Sequence, residues 1–217
     1  ENHGYKIKRT DLPEQPIIDA VAENVINTQR GTVIGKKDIQ ISTIEHAMAA
    51  LYAAGIDNCL IEVDAPEFPI LDGSSRFYTE GISKVGLKKQ TANKQYYIVK
   101  HKIEVKDEET GASIMILPED NFSVNVLVSY NSPVLTNQYA VMDDLSQFPS
   151  EISASRTFVF VREIEMLIQN NLIKGGDLDN AIVIYDQKVS QDSLDKLADM
   201  MNQPRKSAEE LGYISNN

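Results

Sequence analysis

Tryptophan is absent from the 217 residues, and cysteine occurs once, at Cys59. A lone cysteine excludes an internal disulfide and a CxxC pair, and it fits a reducing compartment, so a cytoplasmic location is expected. Basic side chains are also scarce: 21 Lys and Arg stand against 32 Asp and Glu, for a net charge of −11. Neutralising phosphates needs a basic surface, so no nucleic-acid partner and no anionic lipid surface is expected. Glycine (11) and proline (8) are too few, and hydrophobic residues (42%) too many, for a disordered or fibrous chain. No apolar run approaches the roughly 18–20 residues that span a bilayer, so no integral membrane segment is expected. No signal-peptide pattern opens the chain. It begins at Glu1 rather than Met and stops at Gly212–Asn217 without a helix stop, as expected of a chain cut from a longer one.

The pattern of what is present reads as mixed strands and helices. Ser42-Thr43-Ile44-Glu45 has the spacing of a capping box, with Ile44, Ala47, Met48, Leu51 and Tyr52 at helical spacing and Gly55 as a stop. Cys59–Val63 reads as a short buried strand, and Pro66, Pro69 and Asp72-Gly73 punctuate a loop before a helix from Ser74 to about Lys84. The polar, Lys-rich stretch Gly86–Lys94 is the linker candidate. Beyond it, Tyr97, Val99, Ile103 and Val105 share one face of an alternating strand, and Ser113–Leu117 forms the next. Phe122, Val124, Val126, Val128 and Tyr130 alternate strictly. Thr157–Val161 is β-rich, Arg162–Asn170 helical, Gly175-Gly176 a turn, and Ala181–Tyr185 a strand. Ser190 caps a final amphipathic helix. Elements in this order predict α+β layers, helices on largely antiparallel sheets.

Few residues carry a chemical signal. His3 sits at a frayed terminus and His101 on the apolar face of a strand, whereas His46 directly follows Glu45 in the first turn of a helix. Imidazole is the commonest metal ligand, and a neighbouring carboxylate can act as base toward water. The plainer reading is that Glu45 only caps and His46 faces solvent, because no second ligand follows at i+4 and no HExxH pattern exists. Phosphate-cradling Gly-rich loops and a GxSxG elbow are missing, and Cys59 in its apolar strand reads as inert.

Ile41-Ser42-Thr43-Ile44-Glu45-His46, Ala54-Gly55-Ile56-Asp57-Asn58, Ile61-Glu62-Val63 and Pro69-Ile70-Leu71-Asp72-Gly73-Ser74 form one ordered block. Ser155-Arg156-Thr157-Phe158, Arg162-Glu163-Ile164-Glu165, Gly175-Gly176 and Asp179-Asn180-Ala181-Ile182-Val183 form a second, with Arg9-Thr10-Asp11-Leu12 near the start. Together these resemble the zinc-dependent UDP-3-O-acyl-N-acetylglucosamine deacetylases of lipid A biosynthesis, along essentially the whole chain. The acidic helical segment Ser190–Leu211 resembles the Bacteroidetes branch, in which a 3-hydroxyacyl-carrier-protein dehydratase is often fused; that domain is an expected partner.

The resemblance implies two similar layered α+β domains with the active site between them. Residues 1–88 would form domain I, lacking its N-terminal strand. Residues 95–217 would form domain II with an acyl-passage insert, lacking its C-terminal zinc-ligand helix. It further implies Glu45 as general base, His46 as a ligand of Zn²⁺, and Thr157 as the hydroxyl donor to the amide oxygen under attack. Phe158 would lie beside the sugar, Tyr130 and Asn131 at the uracil, and Arg156 at the anionic UDP. Val161, Ile164, Ile173 and Ala181 would line the acyl passage, although ordinary core packing fits the same apolar types. The sequence departs from the family in three places: Ser132 replaces a His, no His-Lys-x-x-x-Asp ligand motif occurs, and the later Gly-His loop is absent. The expected function is removal of the 2-acetamido group of a UDP-3-O-acyl-sugar as acetate, with this chain by itself inactive. The alternative is a non-catalytic remnant that binds UDP-sugar or a partner.

Overall fold

A computed structural model describes residues 2–164, 180–187 and 189–210. Strand β1 (Tyr5–Arg9) lies between antiparallel β2 (Ile17–Asp19) and parallel β6 (Cys59–Val63). Its side chains alternate: Ile7 is buried, while Lys6 and Lys8 on the other face reach Asp19 and Glu62. Strands β3 (Val25–Asn27), β4 (Val33–Lys36) and β5 (Ile39–Ile41) form an antiparallel meander. Helices α1 (Glu45–Ala53) and α2 (Arg76–Val85) complete this half. Ile7, Ile18, Ile34, Ile41, Ile44, Ala47 and Phe68 make its core. Each buried isoleucine contributes about 1.5–3 kcal/mol.

Two antiparallel hairpins follow: β7 (Ile103–Lys106) with β8 (Ser113–Ile116), and β9 (Val124–Ser129) with β10 (Asn137–Met142). A single π-helical turn spans Phe148–Ile152. β11 (Phe158–Phe160) and β12 (Ile182–Ile184) then pair in parallel, and α3 (Gln191–Met200) closes the described chain. Val161, Tyr185 and Leu194 form a second core cluster beside this pair. Helices and small, mainly antiparallel sheets give an α+β fold, as the residue pattern predicts.

Several local expectations need correction. Ser42 and Glu45 do not form a capping box: Ile44 is the N-cap and carries no side-chain cap, while Ser42 Oγ is 3.5 Å from the Pro66 carbonyl. The strand expected from Tyr97 begins only at Ile103, and the exposed stretch before it has no pairing partner among the described residues. Cys59–Val63 alternates half-buried and exposed positions because only one face meets the core. His3 is tied down, its backbone N–H donating to Asn58 Oδ1 at 2.7 Å, and His101 is exposed ahead of β7. The last helix, expected to end near Pro204, stops at Met200, with Asn202 left-handed (φ +52°) just beyond it. Its start does match, since Ser190 Oγ accepts from the Ser193 N–H at 3.2 Å. Residues 162–164 are helical as expected, Val161 is helical where a strand end was expected, and Gly175-Gly176 lies outside the described residues.

One charged device at the first core has a measurable consequence. Arg9, 5% exposed, donates from Nε and Nη2 to both Asp11 oxygens at 2.8 and 2.7 Å, and from Nη1 to the Gln40 carbonyl. The fork from Arg9 holds the Asp11 carboxyl below the usual carboxylate range. A lowered folded-state value stabilises the protein above the unfolded value, about 3.9 for Asp, and that contribution is lost as pH falls through the folded value. In thermal melts, the gap between wild type and Asp11→Asn is therefore expected to be full at pH 6 and to shrink below about pH 4. A gap independent of pH would contradict this.

Candidate active site

Glu45 is the first residue of α1, and its freedom from capping leaves the carboxylate for other work. Glu45 Oε2 accepts from the Thr32 backbone N–H at 3.0 Å, which draws the β3–β4 loop over it. The approach is close: a Cβ at Gly31 would lie 3.3 Å from Glu45 Oε1, so any larger residue there would make the carboxylate shift by a few tenths of an ångström. His46 follows, half-buried, and its imidazole has no hydrogen bond or ion pair among the described residues. Thr43 just before them holds a left-handed backbone (φ +58°), unusual for a β-branched residue. Its Oγ1 donates to Glu67 Oε1 at 2.6 Å, and the backbone of Ser42 pairs with Pro66 and Phe68.

From Phe68 the chain runs into a tight loop. Asp72 Oδ1 accepts from Ser74 Oγ at 2.7 Å, and fully buried Ser74 in turn accepts from the Arg76 N–H at the start of α2. Gly73 (φ +79°) passes so close to Asn180 that a Cβ would overlap that residue's carbonyl oxygen. The Gly73 carbonyl accepts from the Thr157 N–H at 2.7 Å, and the Thr157 carbonyl accepts from the Ile182 N–H at 2.9 Å. Thr157 is thus fixed on both sides of its peptide, while its half-buried hydroxyl has no partner among the described residues. Arg156 Nε donates to the Asp72 carbonyl at 2.6 Å, bracing the same loop.

Tyr130, Phe158 and Phe160 pack edge to face, with centroids 5.3–6.1 Å apart. Asn131 is exposed beside them, and the neighbouring Ser132, where the family pattern has His, is buried with its Oγ accepting from the Leu135 N–H. Of the expected passage residues, Val161 and Ile164 are buried and Ala181 half-buried, while Ile173 lies outside the described residues. Val161 packs against Tyr185 and Leu194. Phe160 and Arg162 were missed in the sequence reading. Phe160 could have been found from its i+2 spacing to Phe158, which puts both rings on one face of β11.

No hydrogen bond or ion pair among the described residues joins the Glu45–His46 pair directly to Thr157. The link is indirect, through Ser42, Pro66–Phe68, Asp72 and Gly73, and through Arg30 of the β3–β4 loop, which pairs with Glu163 at 2.8 Å. Among the described residues no group of three or more His, Cys, Asp or Glu gathers as a metal site. His46 fits one ligand position, because its ring nitrogens have no partner among the described residues; a catalytic zinc takes three protein ligands.

Glu45 and His46 are adjacent at the start of α1, and Thr157 directly precedes β11. The sequence profile of the family described as LpxC, UDP-3-O-acyl N-acetylglycosamine deacetylase, matches residues 1–200. A bifunctional enzyme LpxC/FabZ from Bacteroides thetaiotaomicron is 61% identical over 215 residues, 99% of this chain and 47% of that protein. One of the same description from Porphyromonas gingivalis is 58% identical over 216 residues, 100% of this chain and 47% of its own length. A UDP-3-O-acyl-N-acetylglucosamine deacetylase from Methylococcus capsulatus is 40% identical over 186 residues, 84% of this chain and 60% of that protein. The chain spans about half the length of the bifunctional relatives. It belongs to the LpxC family of UDP-3-O-acyl-N-acetylglucosamine deacetylases.

Proposed function

We propose that this chain supplies the base, one zinc ligand and the hydroxyl donor of a zinc-dependent deacetylase. The enzyme would release acetate from the 2-acetamido group of a UDP-3-O-acyl-N-acetylglucosamine. The observation that carries the reading is the start of α1, where Glu45 is held by the Thr32 amide rather than by a cap and His46 has no side-chain partner among the described residues. Bound zinc would polarise water and the amide carbonyl. Glu45 would take a proton from the attacking water, and the Thr157 hydroxyl would donate to the oxygen on which negative charge develops. Cleavage of the C–N bond then gives acetate and the sugar amine, whose nitrogen takes up a proton from a group outside the assigned residues. Tyr130 and Phe158 offer faces to the uracil and the sugar, Asn131 a polar edge, and Arg156 positive charge toward UDP. Val161, Ile164, Ile173 and Ala181 are assigned to the wall of the acyl passage, and the two domains to residues 1–88 and 95–217. The relatives named LpxC/FabZ support a fused dehydratase in the full-length protein, and a cytoplasmic location suits the substrate's nucleotide.

A non-catalytic reading draws on the finding that no group of three or more His, Cys, Asp or Glu gathers among the described residues. Metal content separates the two. In the full-length protein, His46→Ala should lose most of its stoichiometric zinc by atomic absorption, with its melting temperature little changed. Retention of full zinc by that variant would remove His46 from the ligand set.

A further inference from the structure

The ion pair at the far end of β11 and β12 is absorbed by none of the steps above. Asp186 follows β12 and is 3% exposed; its carboxylate pairs with Arg162, and its Oδ1 has no hydrogen-bond partner among the described residues. Arg162 follows β11 and spans three groups at once. Nη1 meets Asp186, Nη2 donates to the Asn131 carbonyl at 3.0 Å, and the guanidinium carbon lies 4.4 Å from the centroid of the Phe160 ring. A buried carboxylate with an unsatisfied oxygen is a poor source of stability, since its desolvation rivals the Coulomb gain. What this pair does fix is geometry. Asn131 adjoins Tyr130 in the β9–β10 turn, and Tyr130 packs on Phe158 and Phe160.

We propose that Arg162 and Asp186 are positioning residues for the nucleotide subsite. Asp186 holds the guanidinium fork in one orientation, and the fork pins the Asn131 carbonyl and sets the angle of the Tyr130 ring against Phe158 and Phe160. A planar base of a nucleoside diphosphate would then meet a preformed aromatic face. Lysine cannot replace the arginine, because a single ammonium lacks both the fork and the flat face over Phe160. The proposal rests on the assignment of Tyr130 to the base, and the test separates the two.

The test uses the full-length protein, with uridine diphosphate binding by calorimetry and steady-state acetate release. The double variant Arg162→Met/Asp186→Leu replaces the pair with apolar groups of similar size, and Tyr130→Ala tests the underlying assignment. The expected result is uridine diphosphate binding weakened about tenfold in both, with KM raised and kcat of the double variant changed less than about threefold. If Tyr130→Ala weakens binding and the folded double variant does not, the pair is plain packing and the proposal falls. If Tyr130→Ala leaves binding unchanged, the base assignment fails and takes the proposal with it. Should the double variant not fold, Arg162→Lys, which keeps the charge opposite Asp186, is judged by the same split between KM and kcat.

Discussion

In the full-length protein, Glu45→Gln is expected to keep its zinc and lose turnover by about 10²–10⁴. Glutamine has nearly the same shape, and its amide oxygen can still accept from the Thr32 N–H that holds the carboxylate at 3.0 Å. Because Ile44 rather than a Glu45 capping box begins α1, the substitution removes no cap and the helix should be undisturbed. What disappears is the ability to take a proton. Zinc content measured beside acetate release checks this. Zinc lost in proportion to activity would make Glu45 a structural or ligating residue instead of a base.

The second large effect lies at the Asp72-Gly73 loop. Gly73→Ala places a Cβ onto the Asn180 carbonyl and imposes a left-handed backbone on an L residue, so the loop has to move. Thr157 would lose the acceptor for its N–H, and with it the fixed position of its hydroxyl. The expected result is destabilisation by more than about 2 kcal/mol and a fall in kcat of about a hundredfold. Gly81 supplies the contrast. It sits in exposed α2 with nothing within 4 Å of a Cβ, so Gly81→Ala should leave kcat unchanged and stabilise by about 0.5–1 kcal/mol. Equal behaviour of the two variants would show that the contact at Gly73 carries nothing.

Much of the first core was legible because its signals are local. The helical spacing of Ile44, Ala47 and Leu51 reports burial of one face. The capping box was misread for a physical reason: Ser42 is drawn into backbone pairing with the Pro66–Phe68 segment, a contact between residues 24 apart that no local spacing encodes. The strand from Tyr97 failed similarly, since alternation marks a face able to pair but does not provide the neighbour. The Glu45–His46 pair stood out by adjacency at a helix start, but the roles of Glu45, His46 and Thr157 came only through the family resemblance. Their support, from Thr32, Gly73 and Ile182, is long-range and visible only in the fold. Arg162 and Asp186 pair across 24 positions and escaped for the same reason.

The most direct test of the account is acetate release from UDP-3-O-acyl-N-acetylglucosamine by the full-length protein, measured after chelation and again after zinc is returned, for wild type and His46→Ala. The account predicts that chelation abolishes wild-type turnover, that zinc restores it, and that His46→Ala stays inactive throughout at the same zinc concentration. Turnover that survives chelation, or a His46→Ala variant restored as fully as wild type, would contradict it.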